Sequence, residues 1–148
     1  MLSAINSINL YAASEIERGY SALTNKDLKK ATQHFQIVLA NDPESINAKL
    51  GLAKTYKLRG LKKSTQKLVH DILKNEPDNL EALLLEGQLH LWNAEWLQSQ
   101  HTFEKIISLD EKNILAHTFL VQALSYMGKL SEADAIYEKL KKLQGNNK

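Results

Sequence analysis

Asn41-Asp42-Pro43-Glu44-Ser45 and Asn75-Glu76-Pro77-Asp78-Asn79 hold the two prolines of the chain, 34 residues apart in matching surroundings. A further 34 residues on, Leu109-Asp110-Glu111-Lys112-Asn113 repeats the turn without its proline. Other columns keep the same period. Small residues recur at Ala31, Thr65, Ser99 and Ala133, and Gly19, Ala53, Gly87 and Val121 form a second column upstream. Phe35, Val69, Phe103 and Tyr137 form a third, and Val38, Ile72, Ile106 and Leu140 a fourth. Independent columns that agree on one spacing mark an internal repeat, and a period of this size means a stack of identical supersecondary units.

Within each unit the apolar residues follow a helical spacing. Leu80, Leu83, Leu84 and Leu91 fall on one side of a helix, and Phe103, Ile106 and Ile107 on one side of the next. Breaks fall at Asn25-Lys26, Arg59-Gly60, Asn93 to Glu95, and Met127-Gly128. Each unit is therefore a hairpin of two helices of about a dozen residues, too short to be stable alone. Ser45, Asn79 and Asn113 precede each new first helix, where a side-chain oxygen caps free backbone N–H groups. The small residue late in the unit lets the second helix approach the first, and the aromatic or branched residue four further on fills the space alongside. Composition agrees: 148 residues, 43% hydrophobic and 24% charged, describe a folded soluble chain of about one domain.

These columns resemble the tetratricopeptide repeat, a 34-residue unit with Gly or Ala at position 8, Ala at 20, an aromatic at 24 and Pro at 32. With Ala12 as position 1, four units run 12–45, 46–79, 80–113 and 114–147 as a single domain. Residues 1–11 precede them as an extension, which either adds a turn of helix over the first unit or frays. The sequence departs from the family at position 4, where Glu15, Lys49, Leu83 and His117 replace its Trp, and at position 11, where only Tyr56 keeps the Tyr. The resemblance implies an all-α fold, a right-handed superhelical solenoid of antiparallel helix hairpins. Position 28 faces the next unit in such stacks. There Leu39, Leu73 and Ile107 give way to Lys141 and the adjoining Lys142, as a solvent-facing end requires. The alternative is a basic helix terminus that complements the macrodipole.

Several classes of chemistry lack support. Without cysteine there are no disulfides, thiolate nucleophiles or Cys-containing metal sites. His34, His70, His90, His101 and His117 show no metal-ligand spacing, and no HExxH, GxGxxG, GxxxxGK[ST] or GxSxG motif occurs. Glu81 and Glu86 lie on different faces of one helix. The expectation is no enzyme, no catalytic residue, no cofactor and no metal. A net charge of +2 is too small for nucleic-acid binding unless it is strongly segregated. Related repeats that read RNA also keep a predominantly 35-residue period and a basic, polar groove. No stretch approaches 18 uncharged apolar residues, and Met1 to Ala13 lacks the regions of a signal peptide. The expected compartment is the cytoplasm, with the periplasm in its place if a targeting segment has been removed.

The family geometry places successive first helices along a concave face through positions 2, 5, 6, 9, 12 and 13. The partner-binding residues this implies are Tyr20, Lys54 and Leu58, then Leu85, Gln88 and Trp92, then Leu115, Phe119, Gln122 and Tyr126. Leu85, Trp92, Phe119 and Tyr126 are expected to form an apolar, aromatic-rich patch of the kind that marks a partner site. For Trp92 or Tyr126 the alternative is burial against a neighbouring helix. The carboxylate clamp of co-chaperone domains is missing, with Lys54 the single lysine at its positions. The function implied is a non-enzymatic scaffold or adaptor that holds an apolar peptide segment of another protein. The alternative is a self-associating assembly unit, a homo-oligomer of the bacterial envelope-assembly or secretion-chaperone type.

Overall fold

The computed structural model describes residues 2–145, with side chains from residue 6 onward. Among the described residues there are eight α-helices and no strand. They are α1 (Leu2–Thr24), α2 (Leu28–Asn41), α3 (Ile46–Leu58), α4 (Lys62–Asn75), α5 (Leu80–Trp92), α6 (Trp96–Leu109), α7 (Ile114–Tyr126) and α8 (Leu130–Gly145). The chain forms two compact units, residues 1–74 and 75–148.

Helix boundaries follow the breaks read from the sequence. The turn inside every hairpin places position 15 in the left-handed region: Lys26 (φ 59°), Gly60 (φ 75°), Ala94 (φ 61°) and Gly128 (φ 72°). Glycine adopts this conformation without strain, whereas Lys26 and Ala94 do so at a cost. Asn79 and Asn113 cap as expected, each accepting at 3.0 Å from the backbone N–H three residues on, at Ala82 and Ala116. Ser45 is the exception: it occupies the N-cap of α3, but its side chain makes no cap hydrogen bond. Residues 2–11 are helical and continue into the first helix of the first unit as α1. Ile8, Leu10 and Tyr11 on this extension are exposed. Residues 146 and 147 of the fourth expected unit lie outside the described residues.

The core of each unit rests on the small-residue column. Ala31, Thr65, Ser99 and Ala133 are all buried. Ser99 Oγ donates to the Gly87 carbonyl at 3.0 Å, tying position 20 of the second helix to position 8 of the first. Phe35 and Phe103 are fully buried beside that contact. A Cβ added at Gly19 would lie 2.6 Å from the Phe35 ring, and one at Gly87 2.6 Å from the Phe103 ring. Such distances leave no room for a methyl group, so the aromatic occupies the space that glycine vacates. At position 28 Leu39, Leu73 and Ile107 are half-buried, while Lys141 is exposed. Lys141 pairs with Glu138, and its ammonium lies 5.2 Å from the centre of the Tyr137 ring.

Candidate protein-binding face

Positions 2, 6, 9 and 13 follow the spacing i, i+4, i+7, i+11 and so share one face of each first helix. In residues 75–148 this face is Glu81, Leu85, Gln88 and Trp92 on α5, and Leu115, Phe119, Gln122 and Tyr126 on α7. In residues 1–74 it includes Tyr20 on α1, and Lys54 and Leu58 on α3.

Exposure along the face is uneven. Leu58, Trp92, Leu115 and Tyr126 are 58%, 41%, 54% and 55% exposed, so its two ends are open to water. Position 6 is closed. Leu85 is only 4% exposed and belongs to the core. Phe119 is half-buried and stacks on the fully buried Phe103, ring centroids 5.4 Å apart and planes 20° from parallel. Leu85 and Phe119 therefore leave the expected surface patch. Phe119 faces the second helix of the preceding repeat, where position 24 is Phe103. Gly51, position 6 on α3, shows the same relation, because a Cβ there would penetrate the Phe35 ring.

Trp92 and Tyr126 remain at the surface. Tyr126 packs against Trp96 at 4.6 Å between ring centroids, with an interplanar angle of 33°. Its hydroxyl accepts a hydrogen bond from Gln122 Nε2 at 3.1 Å. The half-buried Trp96, at position 17, was not among the residues expected here. Its signal in the sequence is a second tryptophan directly after the hairpin turn, at the start of a second helix. Gln88 is half-buried between Leu85 and Trp92 along α5.

In the first unit Tyr20 and Lys54 come together. The Tyr20 ring meets Phe35 edge-on at 5.1 Å, its hydroxyl donates to the Asn47 carbonyl at 3.4 Å, and Lys54 Nζ lies 5.3 Å from its centre. Burial, aided by the charge of Lys54, holds the Lys57 ammonium below its ordinary pKa. Leu58 stands exposed at the end of α3.

The polar residues that replace the family's Trp at position 4 are buried and partnered. Glu15, 2% exposed, meets His34 Nδ1 at 2.8 Å and Arg18 at 2.8 Å. The His34 hydrogen bond outweighs burial and lowers the Glu15 pKa. Lys49 pairs with Asp71 at 2.5 Å and Glu44 at 2.9 Å. Burial alone would lower the Lys49 pKa, but those two carboxylates raise it. His117 is buried, with Nδ1 2.9 Å from the Asn113 carbonyl oxygen. Each side chain is used structurally, and among the described residues no three His, Asp or Glu converge as metal ligands. No helix among them is long and apolar enough to cross a membrane.

No protein-family model matches the chain. It is 28% identical over 100 residues to cellulose synthase operon protein C of Pseudomonas fluorescens (strain SBW25), which covers 68% of this chain and 8% of that protein. It is 31% identical over 107 residues to DnaJ protein P58IPK homolog A of Oryza sativa subsp. japonica, covering 70% and 22%. The chain thus spans less than a quarter of the length of these relatives. Among solved structures it resembles a MamA protein with a TM-score of 0.76 at 21% identity, over 91% of this chain and 74% of that one. It also resembles a tetratricopeptide repeat protein from Parabacteroides merdae ATCC 43184, with a TM-score of 0.76 at 20% identity, over 87% and 50%. The fold is the tetratricopeptide-type helical repeat. Proteins of this type generally mediate protein–protein interaction, and such scaffolds are typically non-enzymatic.

Proposed function

We propose that the chain is a non-enzymatic scaffold whose first-helix face holds an apolar segment of another protein, with residues 12–147 acting as one four-unit domain. The observation that carries this reading is the pair Trp92 and Tyr126. Both occupy position 13, on α5 and α7 of one compact unit, and both keep large apolar surfaces in contact with water. Trp96 extends the aromatic surface behind Tyr126, and Leu115 adds an exposed aliphatic residue on α7. Aromatic side chains offer large contact area at low entropic cost, which suits an anchor pocket. Gln88 and Gln122 supply amides on the same face for the backbone of an extended segment. Burial of about 100 Å² of a partner's apolar surface there contributes roughly 2–3 kcal/mol before ordering costs.

The test is affinity selection from a random peptide library, followed by measured dissociation constants for the enriched sequences. Enriched peptides should carry a hydrophobic anchor, and Trp92→Ala with Tyr126→Ala should weaken them tenfold or more. Melting temperature should shift by only a few degrees, because both side chains are exposed. Equal affinity for the double variant and the wild type would remove this face from the function.

A further inference from the structure

The net charge of +2 conceals a division along the chain. Residues 1–74 hold 12 Lys and Arg against 6 Asp and Glu, a net +6. Residues 75–148 hold 7 against 11, a net −4. Part of the positive charge lies in one line. Lys63, Lys67, His70 and Lys74 on α4 follow the spacing i, i+4, i+7, i+11, share one face, and are all exposed. At 1.5 Å per residue the stripe is about 16 Å long.

No Asp or Glu among the described residues lies within ion-pair distance of these three lysines. The acid that α4 itself carries, Asp71, is paired with Lys49, and its charge also acts on His70 and Lys74 at a longer range. The repeat does not require the stripe. At the same four positions α2 and α8 have one lysine each, Lys29 and Lys142, and α6 has none. In the other half of the chain Glu76, Glu104, Glu111 and Asp134 are exposed and form no ion pair among the described residues, although Lys139 and Lys142 line the same groove as Glu104 and Glu111.

We propose that the α4 stripe is a docking surface for the acidic residues 75–148 of a second copy of this chain. Two whole copies repel each other only weakly, whereas the basic half of one attracts the acidic half of the other. Attraction between exposed charges acts over about a Debye length, roughly 10 Å at 0.1 M salt, and weakens as salt rises. The contact joins different surfaces of the two copies. It therefore extends as an open chain or closes into a ring. This inference does not rest on the first-helix face.

Sedimentation of the full chain at roughly 20 mM and 500 mM salt tests it. Association at low salt should rise with protein concentration and vanish at high salt. Lys63→Glu with Lys67→Glu and Lys74→Glu brings residues 1–74 from +6 to zero and should weaken association at least tenfold with helix content unchanged. Glu104→Lys with Glu111→Lys and Asp134→Lys should do the same from the other side. Mixing the two variants should restore a 1:1 complex, because one keeps the stripe and the other the acidic unit. Trp92→Ala with Tyr126→Ala should leave association unchanged, which separates this result from the peptide-binding test. A low-salt monomer, association that survives high salt, or a lysine variant that still associates overturns the proposal. If a low-salt monomer is instead retained on phosphatidylserine vesicles or on duplex DNA, the second copy is excluded and the stripe belongs to a foreign anion.

Discussion

Phe119 stacks on Phe103 with ring centroids 5.4 Å apart, joining the first helix of the fourth repeat to the second helix of the third. The same junction one pair earlier is made by Gly51 under Phe35. In both junctions position 6 faces a buried phenylalanine at position 24, and its work there is packing between repeats.

Phe103→Ala should cost about 3–5 kcal/mol, the range for a fully buried Phe, and Phe119→Ala clearly less because it is half-buried. The double variant should be more stable than the sum of the single losses implies, by about 0.5–1.5 kcal/mol, the coupling of an aromatic pair. Urea unfolding of the four proteins measures this cycle. Strict additivity would mean the rings touch without stabilising one another.

Gly51→Ala offers a reversed sign. Within an exposed helix this change gains about 1 kcal/mol of propensity. Here the new methyl group enters the Phe35 ring, so the variant should melt lower than wild type. Phe35→Leu introduced into Gly51→Ala should cost less than Phe35→Leu alone. Thermal unfolding that shows Gly51→Ala more stable than wild type would refute the close contact.

Ala94→Gly should stabilise by roughly 0.5–1 kcal/mol, since Ala94 sits at φ 61° where Gly60 and Gly128 serve the other hairpins. Gly60→Ala and Gly128→Ala should lose a similar amount through backbone strain alone, because nothing lies within 4 Å of a Cβ at either site. Chemical denaturation midpoints report both signs.

Acid should weaken the fold through Glu15 and Asp71. Both have folded pKa values below their ordinary 4.5 and 3.8. Their contribution is present above those values and is lost as pH falls through the lower folded ones. Lys49 has the opposite sign: raised above 10.5, it contributes fully below that pH and loses its contribution only as pH rises through the folded value. Stability should therefore drop below about pH 4.5, and Glu15→Gln should reduce the slope of that drop. Urea midpoints between pH 7 and 3 decide it; equal slopes would mean the His34 contact adds nothing.

Much of the architecture was legible from one period. The four hairpins, the turns at position 15, the buried column through Ala31 and the column through Phe35, buried except at the exposed Tyr137, all follow from local rules. Local rules suffice because each element is set by residues within one or two helical turns. The exposed Trp92 and Tyr126 were legible too, as members of one column. Burial of Leu85 and Phe119 was not, since the repeat pattern places positions 6 and 13 on one face of the same helix.

The sequence by itself determined the period, the helices and their turns, because these depend on spacing, glycine and proline along a single chain. Only the tertiary structure decided which part of the first-helix face stays open. That depends on the side chain met across the junction: Phe103 covers Phe119, while Tyr126, though it packs against Trp96, stays exposed. Tertiary structure also decided how the charges at position 4 are tolerated. Glu15 finds His34 19 residues away, and Lys49 finds Asp71 on the following helix. Each buried charge requires a partner at hydrogen-bonding distance, and only folding brings that partner within reach.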